Sequence, residues 1–192
     1  MTSTRRHGEE LEHALLEAAW AELVENGYAT FTMDAVCARA GTSRPVLYRR
    51  WEDKHALVRA AVAHAAARDT IPIPDTGTLR GDTIALMESA DSDRMQLFAV
   101  MMVHLSGYYQ ETGTSPADLR ETLMSGRPRV SRIVLERAVA RGEVAADKVT
   151  DRIAVLPYVL LQQEFLLTLK PVPTAVIEEI VDSIYLPLVL SK

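Results

Sequence analysis

Two short helical segments joined by a glycine turn constrain the fold of this chain more than any other feature. The sequence TMDAVCAR (residues 32–39) predicts one short helix, and residues 43–51 predict a second one after a turn at Gly41. Glycine permits the backbone of a sharp turn, Ser43 is a favourable N-cap residue, and Pro45 falls in the first turn, where a missing N–H is tolerated. The pattern therefore predicts a helix, a tight turn and a second helix.

The second of these segments is rich in basic side chains. Arg44, Arg49, Arg50 and Lys54 lie within it or just after it, with Tyr48 among them. A short helix of this composition suits the major groove of DNA. The whole chain has a net charge of −5, but the acidic excess lies after residue 68, and salt screens exposed charges beyond about 8–10 Å. The charge distribution is therefore compatible with DNA binding and limits non-specific binding.

The rest of the chain also follows helical periodicity, and no segment alternates as a strand does. We predict an all-α protein of about nine helices, at residues 9–26, 32–39, 43–51, 53–68, 79–89, 93–109, 117–141 (kinked at 126–128), 146–170 and 174–190. Pro72 and Pro74 mark the strongest boundary, because proline cannot continue a helix. The expected division is a three-helix domain in residues 1–52, a connecting helix in 53–70 and a larger helical domain in 71–192.

Composition excludes several classes of site and protein. The single cysteine, Cys37, excludes an internal disulfide and a multi-cysteine zinc site. The longest uncharged run, residues 95–110, is shorter than the roughly 18–20 apolar residues of a membrane span, and no signal peptide is evident. The histidines show no metal-ligand spacing, and we expect no metal and no cofactor; they are His7, His13, His55, His64 and His104. Since no nucleophile or acid–base pair stands out, we expect that the protein is not an enzyme. The single cysteine and the lack of an evident signal peptide or membrane span predict a cytoplasmic protein without a membrane partner.

The string LLEAAWAELVENGYATFTMDAVCARAGTSRPVLYRRWEDKHALV strongly resembles the DNA-binding domain of the tetracycline-repressor (TetR) family of bacterial regulators. The resemblance covers roughly residues 11–60 and depends on Gly27-Tyr28, Phe31-Thr32, Ala40-Gly41, Leu47-Tyr48, Trp51 and Lys54. Thr42, Trp51 and Cys37 depart mildly from the family pattern. The later part of the chain resembles the family only in architecture. The resemblance implies a nucleoid-associated regulator whose residues 1–52 bind DNA by a helix-turn-helix and whose residues 71–192 bind an effector and dimerise.

The resemblance also assigns the DNA contacts. It places Arg44 at the start of the recognition helix, where a guanidinium can bond to O6 and N7 of guanine; a phosphate contact or a solvated arginine is the alternative. Arg49 is a second candidate for a base or phosphate contact. Pro45 is expected against a thymine methyl group, and the residues expected on the DNA backbone are Thr32, Thr42, Ser43, Tyr48 and Lys54. A half-buried core position is the alternative for Tyr48.

Methionine and aromatic residues concentrate between positions 87 and 124. Such side chains adapt to apolar ligands, although they also form ordinary protein core. Together with the resemblance they predict a pocket for a small, largely apolar effector, lined by Met87, Phe98, Met101, Met102, His104, Leu105, Tyr108, Met124, Arg127 and Gln162. His104 is a candidate polar anchor there, and a satisfied core histidine is the alternative.

Two apolar stripes near the end of the chain predict a homodimer interface. The first comprises Val155, Tyr158, Val159, Phe165 and Leu166, and the second Ile177, Ile180, Val181, Ile184 and Leu188. Packing within one chain is the alternative, whereas a symmetric four-helix interface is what the resemblance implies. A dimer places two recognition helices about one duplex turn (roughly 34–36 Å) apart, which matches a near-palindromic operator.

These expectations combine into one leading function. The chain is expected to be a homodimeric repressor that binds double-stranded DNA and leaves its operator when the effector binds. A transcriptional activator of the same fold is the first alternative. A helical ligand-binding or protein-interaction module without DNA binding is the second, but its recognition helix would lack the basic residues of positions 44–54.

Overall fold

The computed structural model describes residues 3–68, 72–90, 92–124 and 129–190, without the side chains of residues 3–7, 92, 93 and 124. In these ranges all regular structure is helical, which confirms the predicted all-α class. The α-helices are α1 (Ser3–Thr30), α2 (Met33–Arg39), α3 (Arg44–Tyr48), α4 (Lys54–Arg68), α5 (Leu79–Glu88), α6 (Ser92–Ala99), α7 (Ser106–Thr112), α8 (Pro116–Met124), α9 (Val130–Ala140), α10 (Asp151–Thr168), α11 (Thr174–Glu179) and α12 (Leu186–Leu190). None of them is long and apolar enough to cross a membrane.

The described residues form more α-helices than the nine expected, because three predicted helices each contribute two of them, and two of these three contain a π-helical stretch. Val100–His104 separates α6 from α7, and the Leu105 N–H bonds to the Val100 carbonyl five residues back, at 3.1 Å. Ile180–Tyr185 joins α11 to α12 without a break, so the rod from 174 to 190 has its predicted length. The predicted kink at 126–128 lies outside the described residues.

The predicted eighth helix begins later than expected. Ala146–Lys148 forms a short 3₁₀ turn, and α10 starts at Asp151 after Thr150. Thr150 is the N-cap: its hydroxyl accepts a hydrogen bond from the Ile153 N–H at 3.2 Å. A side-chain cap of this kind satisfies one of the free N–H groups of a first turn, which sets the start of the helix.

Contacts divide the chain into two compact units. Unit 1 consists of residues 1–69 and 96–125, and unit 2 of residues 70–95 and 126–192. In unit 1, the long helix α1 packs against α2, α4, the π-helical stretch and α7. Its core includes Leu15, Leu23, Leu47, Leu57 and Leu105, each fully buried. The domains expected from chain order (1–52, 53–70 and 71–192) thus differ from the contact-based units, because residues 96–125 group with the first helices.

Unit 2 packs α5 against α9, α10 and α11. Leu79, Leu135 and Tyr185 belong to one of its apolar clusters. The carboxylate of Asp82, which is 0 % exposed, accepts hydrogen bonds from the Thr76 N–H at 2.6 Å and from the Arg141 guanidinium at 3.2 Å. These bonds compensate for the loss of water around a buried charge.

Candidate functional site

The turn between α2 and α3 is built by Gly41 and its neighbours. Gly41 has φ +63°, in the left-handed region that favours glycine. Its N–H bonds to the Ala38 carbonyl at 3.3 Å, and the Thr42 N–H bonds to the Cys37 carbonyl at 3.0 Å. This pair of bonds is a Schellman motif, which satisfies the last carbonyls of α2. The predicted helix, turn and helix are therefore present.

Ser43 is the N-cap of α3, but its side chain makes no capping hydrogen bond. Proline at the second helical position has no N–H to donate. The N–H of Val46, at the third position, bonds instead to the Ser43 carbonyl at 3.0 Å. The expected side-chain cap is therefore absent, and backbone geometry and Pro45 define the start of the helix. Thr32 caps α2, since its hydroxyl accepts a hydrogen bond from the Ala35 N–H at 3.1 Å.

One face of α3 is buried and the other faces solvent. Leu47 is fully buried, and Trp51, just after the helix, is 9 % exposed. Pro45, Tyr48 and Arg49 lie on the exposed face. Because Tyr48 is 51 % exposed, the half-buried core alternative does not apply to it. The helix therefore offers a polar and basic face while its apolar face anchors it to unit 1.

Arg44 lies at the exposed start of α3 and forms a two-pronged ion pair with Asp34 of α2. Both side chains are more than half exposed. An exposed pair of this kind is worth less than about 1 kcal/mol, so a phosphate or a guanine can replace the carboxylate. The sequence did not indicate this pair, which holds the guanidinium at the surface.

Lys54 and Arg50 are more constrained than Arg44. The Lys54 ammonium donates to the Tyr28 carbonyl at 3.0 Å and lies 3.6 Å from the centre of the Tyr28 ring. It has three donor hydrogens, so a phosphate contact is compatible with this bond. The Arg50 guanidinium donates to the Gly8 carbonyl at 3.3 Å and the Val46 carbonyl at 3.4 Å. Arg50 therefore ties α3 to α1.

Ion pairs that sequence reasoning missed brace α2 against α1. The guanidinium of Arg39 donates to Glu22 at 2.7 Å and to Glu25 at 2.9 Å. Glu22 is 7 % exposed and also accepts a hydrogen bond from Asn26 at 2.8 Å. A buried carboxylate needs such partners. Together with the Arg50 bonds, these contacts hold α1, α2 and α3 in a fixed relative orientation.

A second polar network of unit 1 joins α1, α4 and α7. The buried Tyr28 hydroxyl donates to Glu111 of α7, and His55 of α4 lies 3.0 Å from the same carboxylate. Burial, followed by the hydrogen bond to Glu111, raises the pKa of Tyr28 well above its usual range. The hydrogen bonds from Tyr28 and His55 lower the pKa of Glu111. This network connects α7 to α1 and α4, the two helices that precede and follow the helix-turn-helix.

The predicted effector residues fall into both units. Met101, Leu105 and Tyr108 are buried in the core of unit 1, where Phe98 is partly buried and Met102 is exposed. The His104 ring nitrogen Nδ1 lies 2.9 Å from the Leu23 carbonyl, which agrees with the alternative of a satisfied core histidine. In unit 2, Met87 is buried in an apolar cluster and Gln162 is partly exposed. The Met124 side chain and Arg127 lie outside the described residues.

Unit 2 contains a narrow crevice lined by Thr83, Leu86, Ser131, Val134, Ala154, Pro157, Tyr158 and Tyr185. Its free volume of about 10 Å³ corresponds to roughly one water molecule. None of the predicted effector residues lines it. Tyr158, predicted at the dimer interface, lines this crevice and donates from its hydroxyl to the Leu86 carbonyl at 2.6 Å. An effector of drug-like size would have to widen this crevice.

The predicted dimer residues divide into core and surface. Ile177, Ile180 and Val181 are buried in a cluster of unit 2, and Phe165 is 9 % exposed. Ile177, Ile180 and Val181 thus pack within their own chain, which was the alternative for this stripe. Val155 and Leu166 are partly buried. Val159, Ile184 and Leu188 remain exposed and form the surface apolar part of the set.

Two segments of the chain match known protein families. Residues 15–61 match the profile of bacterial regulatory proteins of the tetR family, and residues 73–184 match the tetracyclin repressor-like C-terminal domain. The chain is 32 % identical over 183 residues to the DNA-binding transcriptional repressor TetR of Mycobacteroides abscessus, covering 95 % of each. It is 31 % identical over 180 residues to an HTH-type transcriptional regulator of Mycobacterium tuberculosis, covering 92 % of this chain and 86 % of that protein.

A solved structure shows the same fold. The crystal structure of MexZ, described as a key repressor responsible for antibiotic resistance in Pseudomonas aeruginosa, superposes with a TM-score of 0.67. The alignment covers 95 % of this chain and 96 % of MexZ at 18 % identity. At this identity the likeness concerns the fold.

Proposed function

This chain belongs to the TetR family of bacterial regulatory proteins, and from that premise we propose that it is a repressor released from a near-palindromic operator by a small, largely apolar effector. It acts as a homodimer in the cytoplasm, without enzymatic activity. The observation that carries the proposal is the exposed face of α3, where Arg44, Tyr48 and Arg49 lie opposite the buried Leu47.

We assign separate roles to the residues of this surface. Arg44 and Arg49 address base edges, since a guanidinium matches the two acceptors of guanine. Thr32, Thr42, Ser43, Tyr48 and Lys54 contact phosphates, and Pro45 approaches a thymine methyl group. Thr32 and Ser43 each carry a hydroxyl directly before a helix, and such a group can bond to a phosphate oxygen. Arg49 is exposed beyond the end of α3, so it can reach either a base or the backbone.

The effector response follows from a difference in affinity between two states. Residues 71–192 are proposed to bind the effector and to dimerise. A ligand shifts the balance only by its differential affinity for the two states. Tyr28, His55 and Glu111 meet where α1, α4 and α7 approach one another, so we assign to this network the transmission of α7 displacements to the helix-turn-helix. The crevice by Tyr158 is a further candidate for the effector pocket.

Gel-shift titration of the full-length protein tests the DNA-binding surface. The probe is the DNA upstream of its own gene, or a duplex selected from a random pool. We expect Arg44→Ala to weaken binding by about 1–3 kcal/mol, roughly 5- to 150-fold, at its preferred base pair. Tyr48→Ala weakens binding to all duplexes alike, because phosphate contacts carry no sequence information.

Arg132→Ala provides the matched control for this titration. Arg132 is an exposed, ion-paired arginine of α9 in unit 2, so its removal alters net charge as Arg44→Ala does. The dissociation constant of Arg132→Ala for the duplex should stay within about twofold of the wild-type value. Unchanged binding by both Arg44→Ala and Tyr48→Ala would overturn the assignment of this surface.

Two alternatives stay distinct from the proposal. If the protein is a repressor, deletion of its gene raises transcription of the adjacent genes. If it is an activator of the same fold, the same deletion lowers their transcription. A module without DNA binding would give no shift with any selected duplex. The basic exposed face of α3 favours DNA binding over the second alternative.

A further inference from the structure

Three side chains of metal-binding type converge where α1 meets α4. His13 and Glu17 are four residues apart on α1, and His64 comes from α4. The His64 nitrogen Nε2 lies 2.6 Å from Glu17 Oε1, and the His13 nitrogen Nε2 lies 3.9 Å from the same oxygen. One ligand atom from each residue lies within 4.8 Å of the other two. Both imidazoles therefore present a nitrogen to a single point beside the carboxylate.

We propose that His13, Glu17 and His64 form a binding site for a divalent transition-metal ion such as Zn²⁺. Two imidazoles and one carboxylate are a common protein ligand set for zinc, nickel and cobalt. Neighbouring ligands of a tetrahedral Zn²⁺ ion are about 3.3 Å apart, given bonds of roughly 2.0–2.1 Å. For an ion to bind, the Glu17 and His64 ligand atoms must move slightly apart, and the His13 ligand atom must approach both of them.

The two imidazole rings also contact each other edge to face. The His13 and His64 ring centres are 4.7 Å apart with an interplanar angle of 88°. Burial opposes ionisation of Glu17, but the hydrogen bond from His64 and the charge of Arg68 outweigh it and lower the pKa of that carboxyl.

Access to the cluster is graded. The His13 side chain is 62 % exposed, whereas that of His64 is 16 % exposed. An ion can therefore enter from the His13 side and keep water as its remaining ligand. A three-residue site completed by water differs from structural zinc sites, which have four protein ligands.

Arg68 competes with the proposed ion. Its guanidinium donates to Glu17 Oε1 at 2.6 Å, from the last residue of α4, and its side chain is 46 % exposed. A guanidinium repels a divalent cation, so it must turn into solvent when the ion binds. The arrangement therefore predicts that removal of Arg68 strengthens metal binding. If the cluster bound no metal, the same removal would only break an ion pair.

A bound ion would fasten α1 to α4. Both helices belong to unit 1, and α4 begins at Lys54, directly after the recognition segment. Metal occupancy would therefore stabilise the support of the helix-turn-helix. The proposed site does not depend on DNA binding, so either proposal can fail without the other.

Calorimetric titration of the tag-free, chelator-treated full chain with Zn²⁺ alone tests the site, with Co²⁺ absorption as a spectroscopic check on ligand geometry. We expect one site per chain. His13→Ala or His64→Gln should weaken Zn²⁺ binding by more than the 10- to 100-fold that loss of an outer partner costs. Arg68→Ala should strengthen it about two- to fivefold, as loss of an exposed ion pair allows. Saturating Zn²⁺ should raise the Tm of wild type by several degrees.

His55→Ala is the matched control, because His55 is a histidine of the same unit outside the cluster. It should bind Zn²⁺ as wild type does. His13 lies at the surface, so His13→Ala keeps the test valid if His64→Gln lowers stability, and circular dichroism verifies folding of each variant. Absence of one-to-one binding, equal loss in His55→Ala and His13→Ala, or weaker binding by Arg68→Ala would each overturn the proposal.

Discussion

Arg44, the first residue of α3, has its charge balanced by Asp34 in the free protein. Its guanidinium is pre-positioned at the exposed start of the helix, and the same carboxylate must release it before it can meet DNA. Asp34 also places a negative charge beside the expected path of the phosphates. Under the proposed assignment, a single ion pair orients the Arg44 side chain and also competes with DNA for it.

Asp34→Asn should therefore strengthen DNA binding. Loss of the carboxylate removes a competitor for Arg44 and a repulsion toward phosphate, and we expect roughly a two- to fivefold gain, the scale of an exposed ion pair. The gain should be larger for unrelated duplexes than for the operator, because the removed repulsion is independent of sequence. Fluorescence anisotropy with operator and scrambled duplexes at fixed salt measures both.

Glu25→Gln is the control for this prediction. Glu25 also pairs with an arginine of α2, Arg39. Its substitution by Gln therefore removes an equal charge without releasing Arg44. Weaker operator binding by Asp34→Asn than by Glu25→Gln would show that Asp34 positions Arg44 more than it competes for it.

At the scale of an element, α1 depends on a single non-helical residue. Gly27 has φ +68° and ψ 175° within the span Ser3–Thr30, a conformation that is essentially restricted to glycine. It ends the long first part of the helix and directs Tyr28 into the buried network with Glu111 and His55. A Cβ at Gly27 would lie 3.8 Å from His104, so there is space for a side chain. Only the backbone conformation disfavours a residue other than glycine.

Gly27→Ala should destabilise the protein by about 1–3 kcal/mol, the cost of holding a non-glycine residue in this region. Equilibrium unfolding in urea, followed by helical circular dichroism, measures the change in free energy of unfolding. Gly8→Ala is the paired control, because Gly8 lies in α1 with open space around its Cβ position. It should stabilise by about 0.5–1 kcal/mol. Equal effects of the two substitutions would mean that Gly27 is not strained.

At the scale of the whole molecule, unit 2 leaves apolar side chains on its surface. Ile184 and Leu188, on the last helical rod, are 44 % and 43 % exposed, and Val159 of α10 is 51 % exposed. Their buried neighbours, Ile177 and Val181, already complete the core beneath them. The exposed residues are the ones that remain available to a second copy of the chain.

The double substitution Ile184→Asp with Leu188→Asp should convert a dimer into monomers. Burial of each side chain is worth about 1.5–3 kcal/mol, and a symmetric interface uses each of them twice, so association should weaken at least a hundredfold. Light scattering after size-exclusion chromatography measures the mass. Affinity for a two-half-site operator should fall in parallel.

Val103→Asp is the control for surface charge, since Val103 is equally exposed but belongs to unit 1. It should leave the mass unchanged. A double variant that stays dimeric would exclude Ile184 and Leu188 from the interface.

The sequence by itself determined the helical class, the helix-turn-helix and the family, because their signals are local. Gly41, Pro45 and the spacing of Leu47 and Trp51 act within one or two turns of the chain. The start of α10 at Thr150 and the absent side-chain cap at Ser43 depend on equally local hydrogen bonds that residue preferences alone did not resolve. Periodicity likewise predicted the rod from 174 to 190 without its π-helical middle.

Only the tertiary structure decided which side chains meet and which faces are covered. It paired Arg44 with Asp34, placed Lys54 on Tyr28 and brought His64 to Glu17 across 47 residues of sequence. It also buried Ile177, Ile180 and Val181. The physical reason is the same throughout: spacing along a helix defines a face, but the partner of that face comes from segments distant in sequence, and their packing is a property of the folded chain.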